Sequence, residues 1–373
     1  MLARLLACFP KEIVIARLPD FYPLLRPLLH SLDPEQAHEW ALRALERGWV
    51  PAQPVLPDPI LATSFLGWRL AHPLGLAAGF DKNGRVASRM FAQGFSFIEV
   101  GGVTPLPQAG NARPRVFRLP EQRAVINRMG FPNDGASVVA ARLAAAPPGG
   151  MLGINLASNA ASIEPIRDFL ALLETFSPLG DFLTLDISCP NTANGQVFLE
   201  PARLSELLAS LNAVPLGANR PALVAKISPD LDDGRLAELV AVLLEGQIAA
   251  ICVGNTTTAR PTGLGKHAEQ KGGLSGRPLF SASTRQLAVV RRLVGTRVPL
   301  IGTGGIASGA DAYAKICAGA SVLQLYTAMI YEGPGLVGRV LGELAELLRR
   351  DGFTTLSQAV GSAVDVSADP DRT

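Results

Sequence analysis

The sequence predicts an α/β protein, a (β/α)8 TIM barrel with a small N-terminal helical extension. From residue 73 onward, eight short apolar segments alternate with longer segments of helical character. The apolar segments are continuous rather than alternating, which is typical of parallel strands covered on both faces. Eight such strand and helix units close into a barrel. A doubly wound open sheet is the alternative, but no GxGxxG motif follows the first strand to support it.

The elements follow one another in a regular order. The apolar segments predict barrel strands at 73–78, 96–100, 151–155, 182–187, 222–227, 249–253, 298–302 and 321–326. Helices are predicted between them, among others at 134–145, 163–175, 201–212, 231–245, 282–294 and 310–318. Several of these helices begin at or just after Ser, Asp or Pro, which are residues that favour a helix start.

A separate helical segment precedes the barrel. Asp33 and Pro34 are typical of a helix N-cap and a first helical residue, with Gln36 as the capping-box partner. Gly48 then ends the helix. An earlier apolar stretch, residues 9–29, contains prolines and interspersed basic residues. Packing against the barrel and contact with a membrane surface both remain open for it.

Composition sets the domain plan and excludes several classes of protein. With 373 residues and 48% hydrophobic content, a large core is available, and we predict a helical segment at 1–50, the barrel at 51–362 and a disordered tail at 363–373. The formal net charge of +2 gives no indication of a nucleic-acid partner. The cysteines form no CxxC or Cys/His group, so neither a metal site nor a disulfide framework is predicted. No apolar run is long enough for a membrane-spanning helix.

Polar and small residues follow the predicted strands at their carboxyl ends. In a barrel these ends meet on one face, so residues far apart in the sequence become neighbours. The group comprises Lys82, Gly101, Gly102, Asn155, Asp186, Cys189, Asn191, Lys226, Asn255, Thr256, the run 302–305, Tyr326 and Thr327. Cys189 alone, before a proline, is more typical of a buried structural cysteine. The chain has only six lysines, however, and two of them belong to this group, so a functional site is predicted here.

Two features predict a phosphorylated cofactor with an anionic ring. The glycine-rich run 302–305 and the pair Tyr326 and Thr327 follow the seventh and eighth strands, where this fold commonly binds phosphate through backbone N–H groups. Lys226 lies inside an apolar strand, where an unpaired ammonium is costly to bury. A reduced flavin, negative at its N1–C2 edge, is one partner for this lysine. A neighbouring acidic side chain is the alternative.

Six segments of the chain resemble the dihydroorotate dehydrogenases, in particular the class 2 enzymes, which are membrane-associated and use quinone. The segments are 72–84, 98–105, 113–118, 126–131, 272–278 and 319–326. The resemblance extends over about residues 20–362. It includes the N-terminal helices that separate class 2 from the soluble class 1 enzymes.

The resemblance implies that bound FMN oxidises (S)-dihydroorotate to orotate in de novo pyrimidine synthesis and that ubiquinone or menaquinone takes the electrons. It assigns the catalytic base, which accepts the C5 proton, to Cys189. It assigns substrate binding to Lys82, Asn127, Phe131, Asn191, Asn255 and Thr256. It assigns FMN binding to Ala77, Ala78, Gly79, Gly102, Asn155, Asp186, Lys226, Gly254, Gly276, Gly304, Gly305, Tyr326 and Thr327. It also implies a peripheral membrane protein whose N-terminal helices contact the membrane, at its cytoplasmic face if the protein is bacterial.

Three features depart from the class 2 pattern. Cys189 stands where class 2 enzymes usually have serine and class 1 enzymes have cysteine, and a thiol is more acidic than a hydroxyl. Asp186 replaces an asparagine, so that a carboxylate stands where an amide both donates and accepts. The loops at 157–160 and 193–196 also differ. A divergent FMN oxidoreductase acting on another cyclic substrate, or a non-catalytic flavin-binding paralogue, therefore remains an alternative.

Overall fold

The computed structural model describes residues 22–189, 191, 195–217 and 220–364. The strands are β1 Thr63–Phe65, β2 Trp68–Leu70, β3 Leu74–Leu76, β4 Phe97–Val103, β5 Val116–Leu119, β6 Ala124–Asn127, β7 Met151–Leu156, β8 Phe182–Asp186, β9 Ala222–Ile227, β10 Ala250–Val253, β11 Gly273–Gly276, β12 Leu300–Thr303 and β13 Val322–Leu325. Strands β3, β4, β7, β8, β9, β10, β12 and β13 pair in parallel in that order, and β13 closes onto β3. The predicted eight-stranded barrel is confirmed.

Helices cover the outside of the barrel and its mouth. They are α1 Tyr22–Ser31, α2 Pro34–Glu46, α3 Ala87–Phe91, α4 Ala136–Ala145, α5 Pro165–Phe176, α6 Pro201–Ala213, α7 Asp233–Glu245, α8 Phe280–Val294, α9 Gly309–Cys317, α10 Thr327–Glu332, α11 Leu336–Arg350 and α12 Leu356–Ala359. The helix predicted at 134–145 begins at Ala136 instead, because Gly135 adopts a φ of +84°, outside the helical region.

The amino-terminal end of the barrel is closed by the hairpin β1–β2. Phe65 on this hairpin is 1% exposed, and its ring centroid lies 6.0 Å from that of Phe97 and 6.1 Å from that of Phe182. Gly153 makes room for this packing, since a Cβ there would lie 2.1 Å from the Phe182 ring. Burying a large apolar side chain stabilises the fold by about 1.5–3 kcal/mol. This end is therefore packed core, and the site lies at the other end.

A three-stranded antiparallel sheet, formed by β5, β6 and β11, was not predicted from the sequence. Strand β6 pairs with both neighbours, and Gly273 lies opposite Asn127. The sequence signal is weak because each strand has four residues and two of those in β11 are glycine. The sheet matters for the site, since β6 ends at Asn127 and β11 ends at Gly276, two residues assigned to substrate and cofactor.

The helical extension is present from residue 22, and the predicted start of its second helix is confirmed. Asp33 Oδ1 accepts hydrogen bonds from the N–H groups of Glu35, at 2.9 Å, and Gln36, at 3.2 Å. The first part of the predicted apolar stretch, up to residue 21, lies outside the described residues. At the other terminus Ala363 donates to Cys317 O at 3.0 Å, and residues 365–373 of the predicted tail lie outside the described residues.

Ion pairs hold α2 against the barrel mouth. Arg85, in the loop after β3, donates to Glu39 at 2.8 Å and to Glu46 at 2.7 Å. Arg115, with 6% of its side chain exposed, donates to Glu35 at 2.9 Å. Because these pairs connect α2 to two separate parts of the barrel domain, the helix forms a fixed roof over the strand ends.

Candidate active site

A cavity of about 890 Å³ opens at the carboxyl ends of the barrel strands and continues beneath α1 and α2. Cys189, each residue assigned to the substrate and each residue assigned to the cofactor line this one cavity. Their functional roles stay predictions, but the structure brings together residues that the sequence separates by up to 250 positions, from Ala77 to Thr327. Convergence of the strand ends accounts for this placement.

Lys82 places a cation at one wall of the cavity. Its Nζ donates to the backbone oxygen of Gly79 at 2.6 Å. Burial lowers the pKa of Lys82 to about 8, although the negative charges of Glu35 and Asp81 act in the opposite direction. The ammonium is thus partly desolvated. Because it forms no ion pair with the described residues, it is available to bind a carboxylate ligand.

Cys189 is 8% exposed and lies in the loop that follows β8, three residues after the end of the strand at Asp186. Burial and the charge of Asp186 raise the pKa of its thiol to about 12, although the Asn191 N–H and the charge of Lys226 favour the thiolate. The expected advantage of a thiol over a hydroxyl is therefore partly offset by burial. As a base, Cys189 depends on the neighbouring groups that stabilise its negative charge.

Lys226 and Asp186 form a buried pair at the floor of the cavity. Lys226 Nζ lies 3.9 Å from Asp186 Oδ2, and the two side chains are 13% and 5% exposed. Burial raises the pKa of Asp186 against the attraction of Lys226. The acidic neighbour considered for Lys226 is thus present, and it is the residue that departs from the family pattern. The lysine still lines the cavity, so a ligand can contact it as well.

Asn255 connects this pair to the neighbouring strand end. Its Nδ2 donates to Asp186 Oδ1 at 3.1 Å and to Ser188 Oγ at 3.3 Å, while its Oδ1 accepts from the N–H of Thr256 at 2.9 Å. Gly273 of β11 packs so closely that a Cβ there would lie 1.8 Å from the Thr256 hydroxyl oxygen. The amide is therefore held in one orientation, as a residue that recognises a planar ring requires.

Asn127, Asn191 and Phe131, which are also assigned to the substrate, line the same cavity. Asn127 ends β6, and the backbone oxygen of Asn191 accepts from Asn111 Nδ2 at 3.0 Å. Phe131 has a φ of +51°, an uncommon value for a residue with a side chain. Its ring lies against the barrel, since a Cβ on Gly102 would approach it to 2.7 Å. Strain of this kind is often found where a side chain is aimed at a ligand.

Glu99 was missed from the sequence, although it lies in an apolar strand as Lys226 does. It is 1% exposed and accepts hydrogen bonds from Asn155 Nδ2 at 2.9 Å and from Gln324 Nε2 at 2.6 Å. The hydrogen bond from Asn155 Nδ2 to Glu99 fixes the Asn155 amide. The Oδ1 atom of this amide is buried without a hydrogen-bond partner among the described residues. A buried acceptor without a partner is costly, so a donor from a ligand fits this position.

The glycine run after β12 has the backbone shape of an anion cradle. Gly304 and Gly305 have φ values of +93° and +78°, a region that other residues rarely adopt. A Cβ on Gly305 would lie 2.6 Å from the Cβ of Phe280, so the loop packs directly on the start of α8. Together with the unpartnered Asn155 oxygen and Lys226, this cradle fits a ring cofactor that carries a phosphate.

The second half of the cavity is roofed by α1 and α2 and is mainly apolar. The ring of His38 lies 5.3 Å from that of Phe80, which in turn lies 5.6 Å from that of Tyr326. Burial and the charge of Lys82 lower the pKa of His38 to about 3, so its ring is neutral at neutral pH. His38 was not predicted from the sequence, because a single histidine on a helix gives no signal of its own. The remaining lining includes Leu25, Leu29, Ala41, Ala44 and Leu45.

Comparison with known proteins decides the family. The sequence profile described as Dihydroorotate dehydrogenase matches residues 60–348, which include all eight barrel strands. The chain belongs to the dihydroorotate dehydrogenase family. Family membership confirms the resemblance stated from the six sequence segments, and the barrel is the fold expected of it.

Relatives within the dihydroorotate dehydrogenase family match almost the whole chain. A Rhodospirillum rubrum protein named Dihydroorotate dehydrogenase (quinone) is 48% identical over 348 residues, 92% of this chain and 95% of the relative. A Cereibacter sphaeroides protein of the same name is 48% identical over 90% of this chain and 95% of its own. A crystal structure of DHODH from Eimeria tenella in complex with ferulenol is 33% identical, has a TM-score of 0.84 and covers 88% of this chain and 95% of that one. The expected relation to the quinone-dependent class is thereby confirmed.

Proposed function

We propose that this chain oxidises dihydroorotate to orotate at the barrel mouth with bound FMN and passes the electrons to a quinone in de novo pyrimidine synthesis. The observation that carries the proposal is the convergence of Lys82, Cys189 and Lys226 on one cavity. It is supported by the 48% identity to proteins named Dihydroorotate dehydrogenase (quinone). The activity follows from the family, whereas the cofactor and the residue roles are the proposed part.

The cavity residues divide between the two ends of FMN. The backbone N–H groups of Gly304 and Gly305 would bind the phosphate, and Lys226 and Asn155 would hold the ring. When bound, the flavin supplies an acceptor for hydride and a carrier for two electrons. Thr327 Oγ1 donates to Ser275 Oγ at 2.9 Å, which fixes the first turn of α10 beside the phosphate end.

The substrate would lie between the amides and Cys189. Lys82 would pair with its carboxylate, and the Asn127, Asn191 and Asn255 amides would match the alternating donors and acceptors of a pyrimidine. Cys189 would accept the proton from C5 while hydride leaves C6. Phe131 lines the same cavity as Cys189, and its ring would exclude water from this base.

The apolar half of the cavity is proposed as the quinone path. An uncharged ring with an apolar tail suits a channel with an apolar lining and a neutral His38. On the same two helices, large apolar side chains are exposed, namely Leu24 and Leu28, together with Leu25 and Trp40, which also line the cavity. We propose that this surface binds a membrane peripherally, at the cytoplasmic face in a bacterium. In the part of the chain that the structure describes, no helix is both long and apolar enough to cross a bilayer.

A vesicle assay tests the membrane proposal. Sedimentation with vesicles of phosphatidylglycerol and phosphatidylcholine should remove the parent from solution, and a Leu24→Glu, Leu28→Glu variant should remain in the supernatant. The matched control is Ile163→Glu, because Ile163 is 94% exposed but precedes α5 on the side of the barrel. Equal sedimentation of all three proteins would contradict the proposal that α1 binds the membrane.

The cofactor is tested by identifying what the purified protein releases. Heat denaturation should release one flavin per chain, with the chromatographic retention and mass of FMN. FAD, riboflavin or no flavin would each contradict the proposed cofactor.

A further inference from the structure

Lys315, on α9, is buried without an acidic partner. It is 0% exposed, and its Nζ donates to Ser283 Oγ at 2.9 Å and to Thr284 Oγ1 at 3.1 Å. The same Nζ lies 5.3 Å from the centroid of the Phe280 ring. No ion pair among the described residues includes this lysine, so neutral hydroxyls and an aromatic face are what hold it. Burial of an ammonium under these conditions is costly and calls for a compensating negative charge.

The surrounding helices supply that charge only in part. Ser283 and Thr284 lie near the N-terminus of α8, which is the positive end of the helix dipole. The titratable groups that face the ammonium are Asp311 on its own helix and the Cys252 thiol on β10. The negative charge of Asp311 favours the ammonium, but the two groups form no ion pair in the described part of the chain, and burial raises the pKa of Cys252 so that it stays a neutral thiol.

A short chain of hydrogen bonds leads from Lys315 to the glycine cradle. Ser283 Oγ lies 3.2 Å from Gly304 O and 3.1 Å from Phe280 O, and it can donate to either oxygen while accepting from the lysine. The Gly304 oxygen and the Gly305 N–H belong to the same peptide group. A hydrogen bond to that carbonyl polarises the N–H on its other side, because hydrogen bonds in a chain strengthen one another.

Negative charges near the cradle disfavour an anion there, and a buried cation offsets them. Two carboxylates lie at the first turn of α9: Asp311 belongs to that turn, and Glu343 of α11 accepts from the Gly309 N–H at 2.6 Å. Both repel a phosphate group. Arg277 also lines the cavity, but its side chain is solvent-exposed, and exposed charges are strongly screened. Lys315 is the fully buried cation of this region.

We propose that Lys315 is a positioning residue for the cofactor's phosphate: its ammonium acts through Ser283 on the 304–305 peptide and balances the phosphate charge. The inference rests on the proposed FMN site and deepens it. The ligand group is a phosphate monoester, so a flavin without the phosphate gains nothing from Lys315.

The proposal has a consequence for proton uptake. Burial lowers the pKa of Lys315 to about 7, and a phosphate nearby raises it again. Above pH 7, binding of the phosphate therefore requires that Lys315 takes up a proton. The affinity for FMN should fall with rising pH by up to tenfold per pH unit, the limit for one proton. Lys82 and Asp186 lie at the ring and substrate end of the site. Their titration changes the affinities for FMN and riboflavin equally, so its effect cancels in the ratio of the two affinities.

The test compares FMN and riboflavin binding to flavin-depleted protein, followed by quenching of flavin fluorescence. In the parent, the ratio of FMN to riboflavin affinity should fall by at least tenfold between pH 7.5 and 9.5. Lys315→Met should lower the ratio at pH 7 about tenfold or more, as expected for one charge at an effective dielectric near 20. It should also remove the pH dependence. Lys271→Met, which removes an exposed lysine, should leave the ratio within twofold of the parent.

The outcomes separate this inference from the proposed function. If the parent binds neither flavin, the FMN site itself is wrong. If the parent prefers FMN but Lys315→Met retains the same ratio, only the role of Lys315 is wrong. Should Lys315→Met fail to fold, two measurements still test the proposal: the pH dependence of the ratio in the parent, and the ratio in Ser283→Ala, which removes the hydroxyl between Lys315 and Gly304 and should lower the ratio. A pH-independent ratio in the parent contradicts the proposal.

Discussion

The two halves of the cavity differ in the polarity of the side chains that line them. The half at the strand ends contains buried charges, of which Lys226 and Asp186 lie 3.9 Å apart. The half beneath α1 and α2 contains a histidine whose pKa is lowered to about 3 by burial, and many of its lining side chains are apolar. Charges and fixed amides suit a polar ring that loses hydride and a proton, whereas an apolar channel suits a quinone. A substitution in one half of the cavity should therefore slow one half-reaction and leave the other unchanged.

The largest expected effect concerns the charged half. Cys189→Ala should slow anaerobic flavin reduction by dihydroorotate by about 10²- to 10⁴-fold, the usual contribution of a positioned base. Reoxidation of dithionite-reduced flavin by quinone should change less than twofold. Stopped-flow absorbance of the flavin measures both rates.

The matched control for this variant is Cys252→Ala. Cys252 is a second buried thiol in the barrel, but it does not line the cavity. Flavin reduction by this control should stay within a fewfold of the parent. A rate for Cys189→Ala within tenfold of the parent would remove Cys189 from the role of base.

The next effect concerns the apolar half. Ala41 on α2 lines the cavity, and Ala41→Trp should fill the channel and slow quinone reduction by about tenfold or more, since an occupied path excludes the ring. Flavin reduction by dihydroorotate should remain within twofold. Arg43→Trp adds the same ring on the exposed face of the helix and serves as control. Equal loss of both half-reactions would show that the two halves are not separate.

A pH profile that rises about tenfold per pH unit up to about pH 8 and then levels off is expected for kcat/KM of the first half-reaction. The Cys189 thiol must lose its proton, and its pKa is raised to about 12, so the rate rises with pH. The Lys82 ammonium must keep its proton to bind a carboxylate, and its pKa is lowered to about 8, so affinity is lost above that pH. Steady-state kinetics with dihydroorotate from pH 6 to 10 measures the profile. A profile that falls steadily from pH 6 would contradict these assignments.

The smallest effect concerns the residue that departs from the family pattern. Burial raises the pKa of Asp186, and above that pKa its carboxylate repels an anionic substrate. The KM for dihydroorotate should therefore rise with pH in the parent. Asp186→Asn should lower KM about threefold at pH 8 and flatten this rise, a modest change because Lys226 already screens the charge.

Asp181→Asn is the control for this variant. Asp181 precedes β8 at the other end of the barrel and accepts from the Leu152 N–H at 2.8 Å. Its burial also raises its pKa, but it does not line the cavity, so KM should not change. A higher KM in Asp186→Asn would mean that the carboxylate helps to bind the substrate.

The sequence predicted the barrel and the residues that line its cavity because both depend on a repeated local pattern. Continuous apolar segments mark parallel strands, and polar residues at their ends must converge. Lys226 was found because a charge inside an apolar strand stands out, whereas Glu99 was missed although it carries the same signal in β4. Residues with no such local signal were missed.

What could not be predicted depends on contacts between distant segments. The sheet of β5, β6 and β11 has strands of four residues, too short for a clear pattern. Lys315 lies in an ordinary helical segment, and nothing in the sequence shows that it is buried without an acid. The pairing of Lys226 with Asp186 was open, because adjacent barrel strands set that distance.

One anaerobic experiment tests the central claim most directly. Dihydroorotate is added to the purified, oxidised holoenzyme without oxygen, followed by a soluble ubiquinone analogue, while the flavin absorbance near 450 nm is recorded. Dihydroorotate should bleach the absorbance, one orotate should form per flavin, and quinone should restore the colour. A flavin that other dihydropyrimidines bleach and dihydroorotate does not would contradict the assignment and favour a divergent oxidoreductase of the same fold.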